Sequence, residues 1–186
     1  MSKIHLIVGG ARSGKSSYAE ECAKKQTDKV VYLATAIVTD EDMKNRIEKH
    51  KQDRPGYWHT IERYRDFSEI VQNQDFIEAE VLLLDCLTVM TTNIMFDEHQ
   101  DFDLISKEKL KDIENLIIAE IDELITISKE NDKSLIMVTN EVGMGLVPAY
   151  KLGNYFRDIA GRVNRHVAAC ADEVTFVAVG IPLKLK

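Results

Sequence analysis

Ile4-His5-Leu6-Ile7-Val8-Gly9-Gly10-Ala11-Arg12-Ser13-Gly14-Lys15-Ser16 decides the fold, because an apolar run passes directly into the pattern G-x-x-x-x-G-K-[ST]. A loop that wraps a phosphate must turn its backbone N–H groups inward, and glycines at both ends permit the dihedrals that side chains forbid. A helix-forming stretch, Tyr18 to Lys25, follows and points its positive N-terminal end at the anion. Lys15 then reaches the β- and γ-phosphates, and the Ser16 hydroxyl sits on a magnesium ion. Gly9, Gly10, Ala11, Arg12, Ser13, Gly14, Lys15 and Ser16 are therefore the first expected nucleotide contacts. A glycine turn that binds nothing is the plain alternative, and the complete motif between strand and helix argues against it.

The chain has 186 residues, enough for one α/β domain with a real core and too few for two comfortable ones. We therefore expect a single domain over 1–186. Hydrophobic residues make up 45% and charged residues 30%, an ordinary globular balance. A formal charge of −7 speaks against a nucleic-acid surface, which needs a net basic face to displace counterions. Cys22, Cys86 and Cys170 are odd in number, lack metal-ligand spacing and sit in apolar segments, which predicts buried reduced thiols and a cytoplasmic protein. The first residues lead straight into a strand, so no signal peptide is expected. No apolar run approaches membrane-spanning length.

Outward from the first strand, apolar runs alternate with helical patterns: Val30–Ala34, Tyr57–Glu62, Val81–Asp85, Ser134–Thr139 and Val174–Val179. This alternation predicts a mostly parallel sheet with helices on both faces. Thr39 and Asp42 read as a capping box opening a helix that runs to about Gln52, where Pro55 ends it. A long helix is expected from Ser106 to Asn131, with Leu110, Ile113, Ile117, Ile121 and Leu124 on one stripe. Leu116, Ile118, Ile125 and Ile127 widen that stripe, as in a deeply buried helix or a subunit interface. A last helix spans Tyr150 to Ala171. The acidic segment 96–105 reads as a surface loop.

Several polar residues fall where chemistry is expected. Asp85 ends a buried run downstream of the phosphate loop, the position of a second magnesium partner. Thr139-Asn140-Glu141 closes another strand beside Gly143 and Gly145, and serves either to orient a nucleophile or sense the γ-phosphate, or as a helix cap and glycine turn. Arg46, His50 and Arg54 recur four residues apart on one helical face, with Lys51 alongside. Surrounding cations push an imidazole's proton affinity down and the helix C-terminus pulls it up; if the cations win, the ring is neutral and nucleophilic near pH 7. The residues leave two readings open, a nucleophile for phosphorus or a solvated basic face. His5, His59, His99 and His166 read as structural or exposed, and no pair has zinc-site spacing.

Taken together, GGARSGKS, Tyr-Leu-Ala-Thr-Ala at 32–36, R-I-x-x-H-K-x-x-R-P-x-x-W at 46–58, Glu62, Asp85, Thr-Asn-Glu-Val-Gly-Met-Gly-Leu-Val-Pro at 139–148 and Phe-Arg-Asp-Ile-Ala-Gly-Arg-Val-Asn at 156–164 closely resemble the adenosylcobinamide kinase / adenosylcobinamide-phosphate guanylyltransferase family of cobalamin biosynthesis. The resemblance covers essentially the whole chain. It implies a RecA-like P-loop domain and a homotrimer, which the wide stripe on 106–131 suits. It also implies two reactions: phosphorylation of adenosylcobinamide by ATP or GTP, then GMP transfer from GTP through a phosphoramidate on His50. The nucleotide contacts it implies are the phosphate loop, Ala34, Thr35, Ala36, Lys51, Gln52, Asp53, Arg54, Glu62 and Asp85. Magnesium falls to Ser16 and Asp85, partly through water; Lys49 replaces the second histidine of some relatives. Two alternatives stay open, a small-molecule kinase that forms no histidine adduct and a RecA-like regulatory NTPase.

Overall fold

The computed structural model describes residues 2–37, 41 and 54–186. Ile4–Gly9 forms β1, and its Ile4, Leu6 and Ile7 are buried on alternate sides, so both faces of the strand are covered. The remaining apolar runs become β2 (Val30–Ala34), β3 (His59–Glu62), β4 (Val81–Asp85), β5 (Ser134–Asn140) and β6 (Glu173–Ala178). A seventh strand, β7 (Ile181–Lys184), has all four residues exposed and was not expected from the sequence. The sheet order is β3-β2-β4-β5-β1-β6-β7. The first six strands run parallel, and β7 turns back antiparallel on β6.

Register brings the strand ends into line. Ala34 pairs with both Glu62 and Asp85, Asp85 with Val138, and Gly9 with Asn140. The carboxyl edge of the sheet thus carries Glu62, Ala34, Asp85, Asn140 and the start of the phosphate loop. In open parallel sheets this edge is where ligands bind.

Helices cover both faces, as the alternation predicts. On one face α1 (Lys15–Lys24) buries Ala19 and Ala23 against Ile7, Tyr32, Leu83, Ile136 and Val138. The other face carries a 3-10 helix (Phe67–Gln72), α2 (Gln74–Glu78), α3 (Leu87–Glu98), α4 (Lys107–Glu130) and α5 (Lys151–Cys170). Ser106 caps α4 by accepting the Lys109 N–H at 3.0 Å, as its position before the periodic stretch suggests. Asn73 does the same for α2.

Two expectations change and a third is narrowed. The wide stripe of α4 packs largely within the chain: Ile125 and Ile127 are buried, and Leu116 and Ile118 pack half-buried on the same core, as the deeply buried helix among the two readings requires. Segment 96–105 is more than a surface loop. Its first residues finish α3, and Phe102 is buried beneath edge-on contacts from Phe96 and His99, each with centroids 5.6 Å away. Of the three cysteines, all free, Cys86 is buried and Cys22 half-buried, but Cys170 is exposed at the end of α5. The helix expected over 39–52 lies outside the described residues. Among the described residues, no helix is long and apolar enough to cross a membrane.

Candidate active site

The turn after β1 is built by steric exclusion. A Cβ at Gly9 would meet Ser13 Oγ at 2.5 Å and the Val177 carbonyl at 2.6 Å, so only glycine lets β1 pass that close to β6. Gly14, the N-cap of α1, has φ +91°, a left-handed conformation costly for a side chain. The loop is tied down by Ser13 N–H to the Gly10 carbonyl (3.3 Å), Gly180 N–H to the Ser13 carbonyl (2.8 Å) and Glu141 N–H to the Gly9 carbonyl (3.0 Å). Ala11 and Arg12 stand exposed at its tip.

Lys15 is buried at the head of α1, with its ammonium donating to the Gly10 carbonyl at 3.2 Å. Ser16 beside it is half-buried. Ser13 Oγ and Asn140 Oδ1 are buried with no hydrogen-bond partner. Buried polar atoms of this kind cost stability unless a ligand or water completes them. A lysine, an unpartnered serine hydroxyl and a helix N-terminus thus converge at the carboxyl end of β1, an arrangement suited to polyphosphate, while Asn140 Oδ1 can only accept, from water or a ligand hydroxyl.

Asp85, at the end of β4, accepts a hydrogen bond from the Tyr32 hydroxyl at 2.9 Å on Oδ2. Burial first, and the Asp85 charge second, hold the Tyr32 proton far above the ordinary phenol range, so the hydroxyl stays a donor. The Arg54 guanidinium stacks 3.4 Å from the centre of the same ring. One buried tyrosine therefore joins the carboxylate on β4 to the last arginine of the basic segment. Its role was not foreseen, because the pairing depends on β2 and β4 being neighbours. The adjoining Cys86 is no nucleophile: burial, then the Asp85 charge, push its thiol up to about 11.

The other expected residues divide by what they do here. Thr35 is fully buried, and its hydroxyl donates to the Cys86 carbonyl (2.9 Å) while accepting the Cys86 N–H (2.8 Å). Asn93 adds a bond to the Thr35 carbonyl at 2.7 Å, which locks the end of β2 to the end of β4. Ala34, Ala36 and Glu62 line a cleft of about 400 Å³ together with Ile37 and Arg63 to Asp66. A larger cavity, about 550 Å³, opens beside Val30 and His59 at the amino ends of β2 and β3, away from the phosphate loop. Thr139 turns inward to Asn164 at 2.7 Å, and Glu141 folds over its own loop to accept the Gly143 and Met144 N–H groups. Thr88 and Asn164 complete that network around Asn140; Thr88 carries no signal in the local sequence, and Asn164 entered it only as the end of the 156–164 block. His50, Lys51, Gln52 and Asp53 lie outside the described residues.

The profile described as cobinamide kinase / cobinamide phosphate guanyltransferase matches residues 5–185. The bifunctional adenosylcobalamin biosynthesis protein CobU of Escherichia coli is 44% identical over 181 residues, covering 97% of this chain and 98% of its own. The protein of the same name from Salmonella typhimurium is 40% identical, with the same coverage. Among solved structures, the flagellar accessory protein FlaH from Methanocaldococcus jannaschii aligns with 99% of this chain and 78% of its own, at 15% identity and a TM-score of 0.46. A match of this extent, over a chain whose phosphate loop is built as its sequence demands, makes it a member of the cobinamide kinase / cobinamide phosphate guanyltransferase family.

Proposed function

We propose that this chain carries out both reactions in the family's name. In the first, the hydroxyl of the aminopropanol arm of adenosylcobinamide attacks the γ-phosphorus of ATP or GTP. A P–O bond forms to the arm, the β–γ bridge breaks, and the hydroxyl proton is released. The loop N–H groups and Lys15 carry the charge that develops on the transferring phosphoryl group, and positioning supplies most of the rest. Ser16 and Asp85 are the hard oxygen donors that suit magnesium. That ion, when bound, supplies neutralisation of phosphate charge.

In the second reaction a neutral His50 imidazole attacks the α-phosphorus of GTP and pyrophosphate leaves, with GMP held as a phosphoramidate. A phosphate oxygen of the phosphorylated substrate then attacks that phosphorus. The P–N bond breaks and adenosylcobinamide-GDP is released. Storing GMP on nitrogen divides one difficult transfer into two easier ones. The observation that carries this reading is the stack of Arg54 on Tyr32, whose hydroxyl holds Asp85. It anchors the end of the basic segment beside the phosphate loop's carboxylate. We read Ala34, Ala36 and Glu62 as the walls of the nucleotide cleft, with Lys51, Gln52 and Asp53 completing it.

A homotrimer is the proposed assembly, and the exposed Met144, Leu146, Val147 and Tyr150 offer apolar surface for a contact. The cytoplasm is the proposed compartment, in keeping with three unpaired cysteines. The test separates the half-reactions: His50→Ala should lose GMP transfer and keep phosphorylation of the arm, whereas Lys15→Ala should cripple phosphorylation. Loss of both activities in His50→Ala, in a folded protein, would refute the assignment of His50 to the transfer alone.

A further inference from the structure

We propose that Asp122, His166 and Cys170 form a site for one divalent transition-metal ion of the zinc class, bridging α4 and α5. His166 and Cys170 are four residues apart on α5 and so share a helical face. Asp122 comes from α4, and its Oδ1 lies 2.7 Å from His166 Nε2. The ligand atoms of all three residues lie within 4.8 Å of one another, and no other group of three such side chains among the described residues comes this close.

The donor set selects the ion. One imidazole nitrogen, one thiolate sulfur and one carboxylate oxygen are the mixed donors that Zn²⁺ and Co²⁺ accept, while Mg²⁺ prefers oxygen alone. Three protein donors leave a fourth position for water. On binding, the Cys170 thiol gives its proton to solvent, a ring nitrogen of neutral His166 donates its lone pair, and Asp122 exchanges its hydrogen bond for a metal bond.

The backbone that carries these side chains is already fixed. Arg162 grips Glu114 through two bonds of 2.6 and 2.8 Å between the same two helices. Lys186 Nζ holds the carbonyls of Ala168, Ala169 and Ala171 around Cys170. Binding therefore needs little more than side-chain rotation, and Cys170 is exposed, so an ion can reach it. Because α5 runs from the carboxyl edge of the sheet back to the start of β6, the site lies at the edge opposite the phosphate loop. It is separate from any magnesium bound with nucleotide. An ion there would staple α4 to α5 and stabilise the folded chain by mass action.

The full chain, stripped of metal and free of nucleotide, should be titrated with Co²⁺ and then Zn²⁺. We expect a thiolate-to-cobalt charge-transfer band and tetrahedral visible bands that saturate at one equivalent, and zinc should displace them. Zinc should also raise the Tm. Cys170→Ser should abolish the charge-transfer band, and it and His166→Gln should each weaken zinc binding by about tenfold or more. Circular dichroism of the metal-free variants checks that they fold. A charge-transfer band that persists in Cys170→Ser, or zinc affinity unchanged in both variants, would overturn the proposal, as would failure of the wild-type chain to give the band.

Discussion

Replacing Tyr32 by phenylalanine removes one oxygen atom and leaves the ring under Arg54. Tyr32 is 4% exposed, and its hydroxyl donates to Asp85 at 2.9 Å. A hydrogen bond to a charged group is worth about 1.5–3 kcal/mol. Asp85 is only half-buried, so water can replace part of it, and about 1–2 kcal/mol is the fitting estimate. If Asp85 steadies the metal-nucleotide in the transition state, that loss becomes roughly a 5–30-fold fall in kcat/KM for phosphoryl transfer. The magnesium concentration for half-maximal rate should rise alongside it. Because the phenol proton is held far above its ordinary range, the hydroxyl donates at every working pH. The ratio of variant to wild-type rates should therefore stay flat between about pH 6 and 9. Coupled kinase assays across magnesium and pH, with the Tm measured in parallel, decide the matter. A Tm lowered by a few degrees with unaltered kcat/KM and magnesium dependence would refute the reasoning and leave Tyr32 a structural residue.

Gly9→Ala places a methyl group against the Val177 carbonyl, which belongs to β6 and cannot yield, so calorimetry should record a loss of about 1–3 kcal/mol. Gly10→Ala meets open space and should stay within about 0.5 kcal/mol of wild type. Thr35→Val strips the donor and acceptor that hold Cys86, leaving a buried N–H unpaired; about 2–3 kcal/mol should be lost, or roughly 4–12 °C in Tm. His5 is buried against Thr175 Oγ1 at 2.8 Å, and burial lowers its proton affinity below the ordinary 6.5. The unfolded chain then binds the extra proton, so this contribution is full above pH 6.5 and is lost as pH falls through the interval beneath it. The Tm of wild type should consequently drop more steeply on acidification than that of His5→Gln, and parallel slopes would contradict the sign.

Much of this architecture is legible in the chain because strong local signals agree. The phosphate loop, five apolar runs and the stripe of α4 each fix an element by period or by motif. α3 escaped for a physical reason. Its Leu87, Thr88, Met90, Thr91, Ile94 and Met95 are buried around more than one side, so no polar stripe marks a 3.6-residue period. β-Branched threonines and a valine weaken its helical signature further. β7 escaped because Ile181 and Leu183 are exposed on an edge and carry no buried alternation. Within the site, Gly9, Gly14 and Lys15 could be read from spacing alone. The Tyr32–Asp85 bond and the Thr88–Asn140–Asn164 network could not, because residues 24 to 53 positions apart meet only through the strand order and the packing of α5 on the sheet.

The central claim is the covalent GMP intermediate on His50, and one labelling measurement tests it most directly. The chain is incubated with α-labelled GTP and magnesium without corrinoid, then treated with acid and with base, and the labelled peptide is sequenced. The prediction is a label that acid releases and base does not, located on His50, and chased into product by the phosphorylated corrinoid. A chain that makes adenosylcobinamide-GDP at full rate without ever carrying such a label would contradict it.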